Sequence, residues 1–399
     1  MKRTRIPYCM RLLTYYFPMM SCMPGSGTRF LVRMFTTRIL MLATLAIGSV
    51  AANEIVYNRG MPLGSSVGMA AGSQGASIWI VDPDAAELVP VRVTPDEPAF
   101  NVMPSWGPGR NGIVFASNRG DTGAGLLLNI WTVNRNGSNL RQLTYDAGSN
   151  FTPSWSPNGR YIAFSSNRLS PLGSEPFAAF EQYDLWIMNA DGTSPRLLHA
   201  GPVVDDDPVF SADSQRVFFR SNTSGQVPEI WVVPTDSSAP AQPLLDFAGQ
   251  IVSGEDPSLS EDGTTLYYWR DPNLVSFDLA TATETLLSSD ALEPWIGPDN
   301  ERFVYHHIDV SSGSPISDVF VSGVYGSDVI RVTATGDAMF GRWAAPAPQP
   351  FCDVESNQSV YASGEQIVLT TLRFANRMAV AEPGVRLRLQ LLFGSFVVG

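Results

Sequence analysis

The sequence predicts an all-β chain folded as a six-bladed β-propeller, and three observations carry that reading. A four-stranded unit recurs six times, its third strands spaced 44 to 55 residues apart. Gly and Pro are abundant, 34 and 30 of 399 residues, whereas charged residues make up only 16%, a composition that suits short strands joined by tight turns. The N-terminal copy lacks a first strand, and a matching segment stands after the sixth copy. One four-stranded sheet cannot bury both of its faces, so six copies at this period describe a closed array rather than separate domains.

The clearest copy occupies residues 151–198. Its centre, PSWSPNGRYIAFSSNR, reads as an inner strand at 153–156, a turn at 157–160 and a second strand at 161–166. The third strand falls at 185–189 and the fourth at 196–198. Asn158-Gly159 and Asp191-Gly192 supply residues that tolerate positive φ in hairpin turns. The third strands are marked by Trp79, Trp131, Trp186 and Trp231, with weaker counterparts at Val275 and Phe320. Second strands begin at Ile55, Ile113, Ile162, Val217, Leu266 and Phe303, and first strands at Pro104, Pro153, Pro208, Pro257 and Pro294. The first copy enters directly at a second strand from Glu54, and MFGRWAAP (339–346) is the segment expected to complete it. Such closure removes the exposed edges of a linear array. Trp106, Trp155, Trp295 and Trp343 recur at equivalent first-strand positions and are expected to pack between blades.

Outside the propeller, expected over 53–345, the two termini differ. Residues 1–52 hold Lys2, six arginines and no acid, then ILMLATLAIG (39–48) and the small residues Ser49-Val50-Ala51-Ala52. A basic region, a short apolar core and a small-residue cleavage site read as an export signal, with Met34 the expected true start. The apolar run is shorter than the roughly 20 residues a membrane span needs, so no integral span is expected after cleavage. Without this head the formal charge falls from −12 to −19, which excludes nucleic acid as a natural partner. Only Cys352 of the three cysteines lies beyond it, so no internal disulfide is expected. At the other end, 346–355 is expected to be a stiff linker around APAPQP, and 356–399 an incomplete immunoglobulin-like β segment with strands in 356–376 and 385–393.

The pattern P-S-W-S-P-N-G-R-x-I-A-F-x-S-N-R followed by D-L-W-I-M-N-A-D-G resembles the propeller repeat of the TolB family. It is also similar to repeats in the N-terminal propellers of prolyl-oligopeptidase and dipeptidyl-peptidase enzymes. The resemblance covers the chain up to Ala345 and implies a propeller scaffold. TolB proteins carry an α/β domain ahead of their propeller, whereas here the propeller is expected to follow the signal directly.

The site expectation comes from where strand ends meet. Fourth-to-first connections should reach the rim of the central channel, and they carry Asn101, Asn150, Asp205, Asp206, Asp207, Glu255, Asp256 and Glu293. Adjacent blades would thus aim carboxylates at one rim, fit for Ca²⁺ or a basic peptide, since hard cations favour carboxylate oxygens. The alternative is that these acids pair with the recurring Arg59, Arg119, Arg168, Arg220 and Arg270 and join blades.

Catalytic patterns fail their context. GSSVG (64–68) fits G-x-S-x-G but no helix follows to form the elbow, and GPGRNG (107–112) falls on a hairpin turn. His306 and His307 adjoin on one strand, which should send them to opposite faces. The leading expectation is an exported, non-catalytic propeller that binds a protein or peptide in the periplasm or at the cell surface. The alternatives are a metal-dependent hydrolase or ligand sensor at the acidic mouth, and the propeller part of a larger surface protein.

Overall fold

The computed structural model describes residues 4–6, 54–60, 75–120, 127–145, 148–169, 182–202, 204–223, 227–289, 292–311, 315–344, 351–356 and 369–375. Most of the expected signal segment, Met34, GSSVG, 346–350 and the strand expected over 385–393 lie outside these residues. Among the described residues no helix is long and apolar enough to cross a membrane.

The chain divides into two units. In the larger, residues 51–347, six four-stranded antiparallel sheets form the blades of a six-bladed propeller. Blade 1 orders Ala338–Trp343, Ile55–Arg59, Ser77–Val81 and Val91–Arg92. Blade 2 consists of Asn101–Trp106, Gly112–Ser117, Asn129–Asn134 and Arg141–Gln142, and blade 3 of Asn150–Trp155, Tyr161–Ser166, Asp184–Asn189 and Arg196–His199. Blade 4 is built from Asp205–Phe210, Arg216–Ser221, Glu229–Pro234 and Gln242–Pro243. Blade 5 follows with Glu255–Leu259, Thr265–Arg270, Asn273–Asp278 and Thr283–Ser289, and blade 6 with Leu292–Ile296, Arg302–Asp309, Ile316–Gly323 and Ile330–Arg331. Inner strands neighbour one another in order, and Ala338–Trp343 lies beside the inner strands of both blade 6 and blade 2. Its ladder runs from Ile55↔Trp343 to Arg59↔Ala338.

The core is a set of seams, because each twisted sheet buries its faces only against its neighbours. Val56, Ile78 and Ile80 of blade 1 meet Trp106, Phe115 and Trp131 of blade 2. Ile55 and Tyr57 meet Val304, Val319 and Trp343 on the other side of blade 1. Leu185 and Ile187 pack on Phe210 and Phe219 between blades 3 and 4, and Phe218 and Ile230 pack on Tyr268 and Val275 between blades 4 and 5. The alternation that identified each second strand is the alternation that feeds two seams from one strand.

The smaller unit, 1–50 and 348–399, contains Thr4–Ile6, Phe351–Ser356 and Leu369–Ala375 in one antiparallel sheet. Phe351–Ser356 is therefore a strand that starts within the span expected as linker, 346–355, and ends on the first residue of the segment expected as immunoglobulin-like. Past Pro350, FCDVES contains no further proline and can donate its backbone N–H groups to a partner strand.

Candidate functional site

The channel is built from one repeated irregularity. In every inner strand one residue near its start adopts a left-handed backbone: Met103 (φ 51°), Thr152 (47°), Asp207 (48°), Asp256 (51°), Glu293 (49°) and Phe340 (55°). The pairing register jumps across this residue and the next in all six blades. The next residue is proline in five blades, where the bulge spares a ring nitrogen that has no proton to donate. In blade 1 it is Gly341, where a Cβ would come within 2.6 Å of Val304 Cγ2. A non-glycine residue at positive φ costs on the order of 1 kcal/mol or more, so the ring stores strain at six points.

These six residues line a central cavity of about 480 Å³. In blade order they read Phe340, Met103, Thr152, Asp207, Asp256, Glu293, so one half of the ring is carboxylate and the other is not. Asp206, Glu255, Arg220, His306 and Arg342 also face the cavity. Arg220, on the second strand of blade 4, grips Asp206 with two donors at 2.5 Å and reaches Glu255 of blade 5 at 2.8 Å. Asp207 lies 4.0 Å from the same guanidinium and keeps 18% of its side chain exposed. The Arg342 guanidinium stacks over Trp295 at 4.7 Å.

Electrostatically the acids outnumber their partners. Burial pushes Asp206 and Asp207 up to about 7, opposed by Arg220. Burial likewise pushes Asp256 and Glu293 up to about 8; the Glu293 charge adds to the rise at Asp256, and Arg342 opposes it at both. Arg220 stays firmly protonated, because Asp206 and Asp207 outweigh the cost of its burial. His306, 2% exposed, is held neutral, its value pushed down to about 3 by burial and then by Arg342 and His307. Its Nδ1 has no hydrogen-bond partner.

The sequence expectation requires two corrections here. The acids do not sit on connections ahead of the first strands; they belong to those strands, which start at or just before them and run through the prolines. Asn101, Asn150 and Asp205 do not line the cavity with the other five. Asn101 donates to the Ala76 and Ala99 carbonyls and accepts from Ser117 Oγ. Asn150 accepts from Arg168 at 2.7 Å, and Asp205 accepts from the Gly201 N–H at 2.8 Å. In a regular strand, first and third residues share a face; the bulge breaks that alternation and turns the first residue into the blade.

Of the recurring arginines, Arg220 is the one bonded to the channel acids, while Arg59 pairs with Asp337, Arg119 with Glu97 and Arg270 with Glu284. Trp106 and Trp343 fill seams as expected, whereas Trp295 also lines the cavity. His306 and His307 do point apart, one buried and one exposed. GPGRNG closes a hairpin through the Gly107 N–H to Gly112 carbonyl bond. Sequence reasoning missed Met103, Phe340 and Arg342. Aligning the copies on the proline column, and treating Gly341 as its sixth member, would have found them.

The donor set does not form a cage for Ca²⁺. Among the described residues no three carboxylates or histidines converge to hold a metal ion, and Arg220 already occupies the space between Asp206 and Glu255.

No protein-family model matches the sequence, and no curated protein sequence matches it. Solved structures do. TolB from Acinetobacter baumannii superposes with a TM-score of 0.56 at 15% identity, covering 73% of this chain and 67% of that one. Kuenenia stuttgartiensis hydrazine synthase gives 0.56 at 15% identity over 74% of this chain and 47% of its own. A chain of a Nidogen/Laminin complex gives 0.53 at 11% identity over 73% of this chain and 99% of its own. With the six blades, these likenesses define the architecture as a TolB-like six-bladed propeller.

Proposed function

We propose that the protein is an exported, non-catalytic propeller scaffold that binds a protein or peptide partner in the cell envelope through the acidic half of its channel. The observation that carries this reading is the unbroken arc of Asp207, Asp256 and Glu293 on three consecutive blades, backed by Asp206 and Glu255 and offset by only two guanidiniums. As these acids ionise, above about pH 8, they outnumber the two guanidiniums, and uncompensated carboxylates in a cleft focus a negative potential that attracts a basic partner and rejects an acidic one. The basic head and short apolar run of the N-terminus support export. One structurally similar chain comes from a Nidogen/Laminin assembly, an example of this architecture in a protein–protein complex.

Affinity capture from envelope extract tests the reading, with the full chain and its Asp207→Asn/Asp256→Asn/Glu293→Gln variant as baits. A basic partner released by salt and missing from the variant eluate is expected. A partner held equally by both baits would move binding away from the channel, and none at all would reject the reading.

A further inference from the structure

The outer edges of the blades differ in how well they are closed to further pairing. An edge strand presents N–H and C=O groups without partners, and proteins blunt it with short strands, prolines or charges. Blades 1, 2, 4 and 6 end in outer strands of two residues, that of blade 4 containing Pro243. Blade 3 ends in four, and its Arg196 is bonded across to Thr235 and Ser237 on the third-to-fourth turn of blade 4. In blade 5 the outer strand, Thr283–Ser289, is seven residues long and contains neither proline nor a basic residue. Among the described residues no strand pairs with its free side. Its single charge, Glu284, is turned back onto its own blade, where it accepts from Tyr268 at 2.5 Å and from Arg270 at 2.9 Å. The one register shift in its ladder lies past Leu286 and leaves 283–286 regular.

We propose that this edge pairs antiparallel with the same edge of a second copy of the chain, about a two-fold axis at Thr285. Leu286 is 62% exposed and Phe247 78%. Leu286 and Glu284 lie on the side of the strand that faces blade 4, because their ladder partners Val275 and Phe277 pack in that seam. Phe247 reaches the same side from blade 4, its N–H bonded to the Ala282 carbonyl at 2.9 Å at the start of the strand. The two-fold relating antiparallel strands stands perpendicular to the sheet, so equivalent faces of the two copies stay on one side. Position 284 then falls opposite 286 of the second copy, and Thr285 opposite Thr285. Each Leu286 covers the methylenes of the other copy's Glu284, on the flank where Phe247 stands, and the exposed apolar surface closes into one strip.

Charge selects both the occupant and the register. The chain carries a formal charge of −12, so most faces of two copies repel. On this strip Glu284 brings its own counter-ion in Arg270, and pairing buries no unmatched charge. A basic partner strand would find no free carboxylate there, whereas the strip is its own complement. Asp246 and Asp278, the acids beside the Thr283 end, are sent to opposite ends of the paired edge. A register centred on Thr283 would bring them together. The inner strand of the same blade, Glu255–Leu259, stands at the far side of the sheet, so the dimer leaves both channels open and presents two of them to one partner.

Sedimentation velocity on the full chain, from about 1 to 100 μM, tests the pairing. A mass that doubles as concentration rises is expected. Leu286→Lys should weaken association by at least ~10-fold while leaving the melting temperature unchanged, because the side chain is exposed and a charge on an edge opposes pairing. Crosslinking tests the register. Opposed residues of an antiparallel pair have Cα atoms about 4.5–5.5 Å apart, within reach of a disulfide. Thr285→Cys should therefore form a reducible dimer in air ~10-fold or more faster than wild type, whose own cysteines set the background. Thr283→Cys, roughly 14 Å from its counterpart, should not. A chain that stays monomeric throughout, or that engages another envelope protein at this edge in place of itself, would overturn the proposal. So would a dimer that Leu286→Lys leaves intact, or one crosslinked through Thr283→Cys in place of Thr285→Cys.

Discussion

Replacing Asp256 with Asn should make the protein more stable at pH 8 and flatten the dependence of its stability on pH. Asp256 is 9% exposed, sits beside Glu293, and is pushed up to about 8 by burial. Between its ordinary value of 3.8 and that value the folded chain keeps a proton that the unfolded chain has lost. More protons bound when folded means that stability falls as pH rises, by about 1.4 kcal/mol per pH unit for one retained proton. From pH 6.5 to 8.0 this comes to about 1.5–2 kcal/mol, allowing for half-ionisation at the upper end. The window matters because His306 acts in the opposite direction. Held neutral when folded, its contribution is complete above its ordinary 6.5 and is lost as pH falls toward 3. Above pH 6.5 the carboxylates act alone. Asn keeps the size and the left-handed backbone of Asp256 and cannot ionise. Calorimetric melting at pH 6.5 and 8.0 should show wild type losing stability and the variant losing less, the gap between their melting points widening by roughly 3–6 °C over this range. Parallel curves for the two proteins, or a wild-type melting point that rises over this range, would refute the reasoning.

Three further outcomes are expected. Arg220→Met strands Asp206 and Glu255 without their shared cation and should cost about 3 kcal/mol or more in urea unfolding at pH 8, with part of the loss recovered at pH 6, where Asp206 is protonated. Trp343→Ala empties the seam where the C-terminal strand meets blade 6, a side chain only 3% exposed, and should cost about 3–5 kcal/mol by the same measurement. Gly254→Ala, where a Cβ would lie 2.4 Å from Tyr268 Cδ2, should cost about 1–3 kcal/mol; unchanged denaturation midpoints would contradict either packing argument.

The blades were legible because their signals are local. Alternation, tight-turn Asn-Gly and Asp-Gly pairs, and a recurring Trp each report on a few consecutive residues, and six copies of a weak signal make a strong one. The channel was only half legible. The acid types stood out, but Asn101, Asn150 and Asp205 look equivalent to Asp207 until the bulge is known, and a bulge is a register event between two strands. Proline was read as a strand start, since it lacks an N–H, whereas here it sits mid-strand at the one point where no ladder bond is required. Arg342 and Phe340 escaped because their strand lacks the proline and joins a blade whose other strands begin at Ile55.

The channel also shows which way the balance between stability and use has gone. A purely structural propeller would place small or apolar residues at six strained, mutually facing positions, as Met103, Thr152 and Phe340 nearly do. Instead, blades 4, 5 and 6 put carboxylates there, and each pays in burial and like-charge repulsion at neutral pH. Joining blades does not require this: Arg220 already links blades 4 and 5 through Asp206 and Glu255, one position earlier in each strand. Asp207, Asp256 and Glu293 are thus surplus to the scaffold and costly to it. Residues that lower stability without serving the fold are best explained by what they hold when the channel is filled, and a cation is what would turn their cost into binding energy.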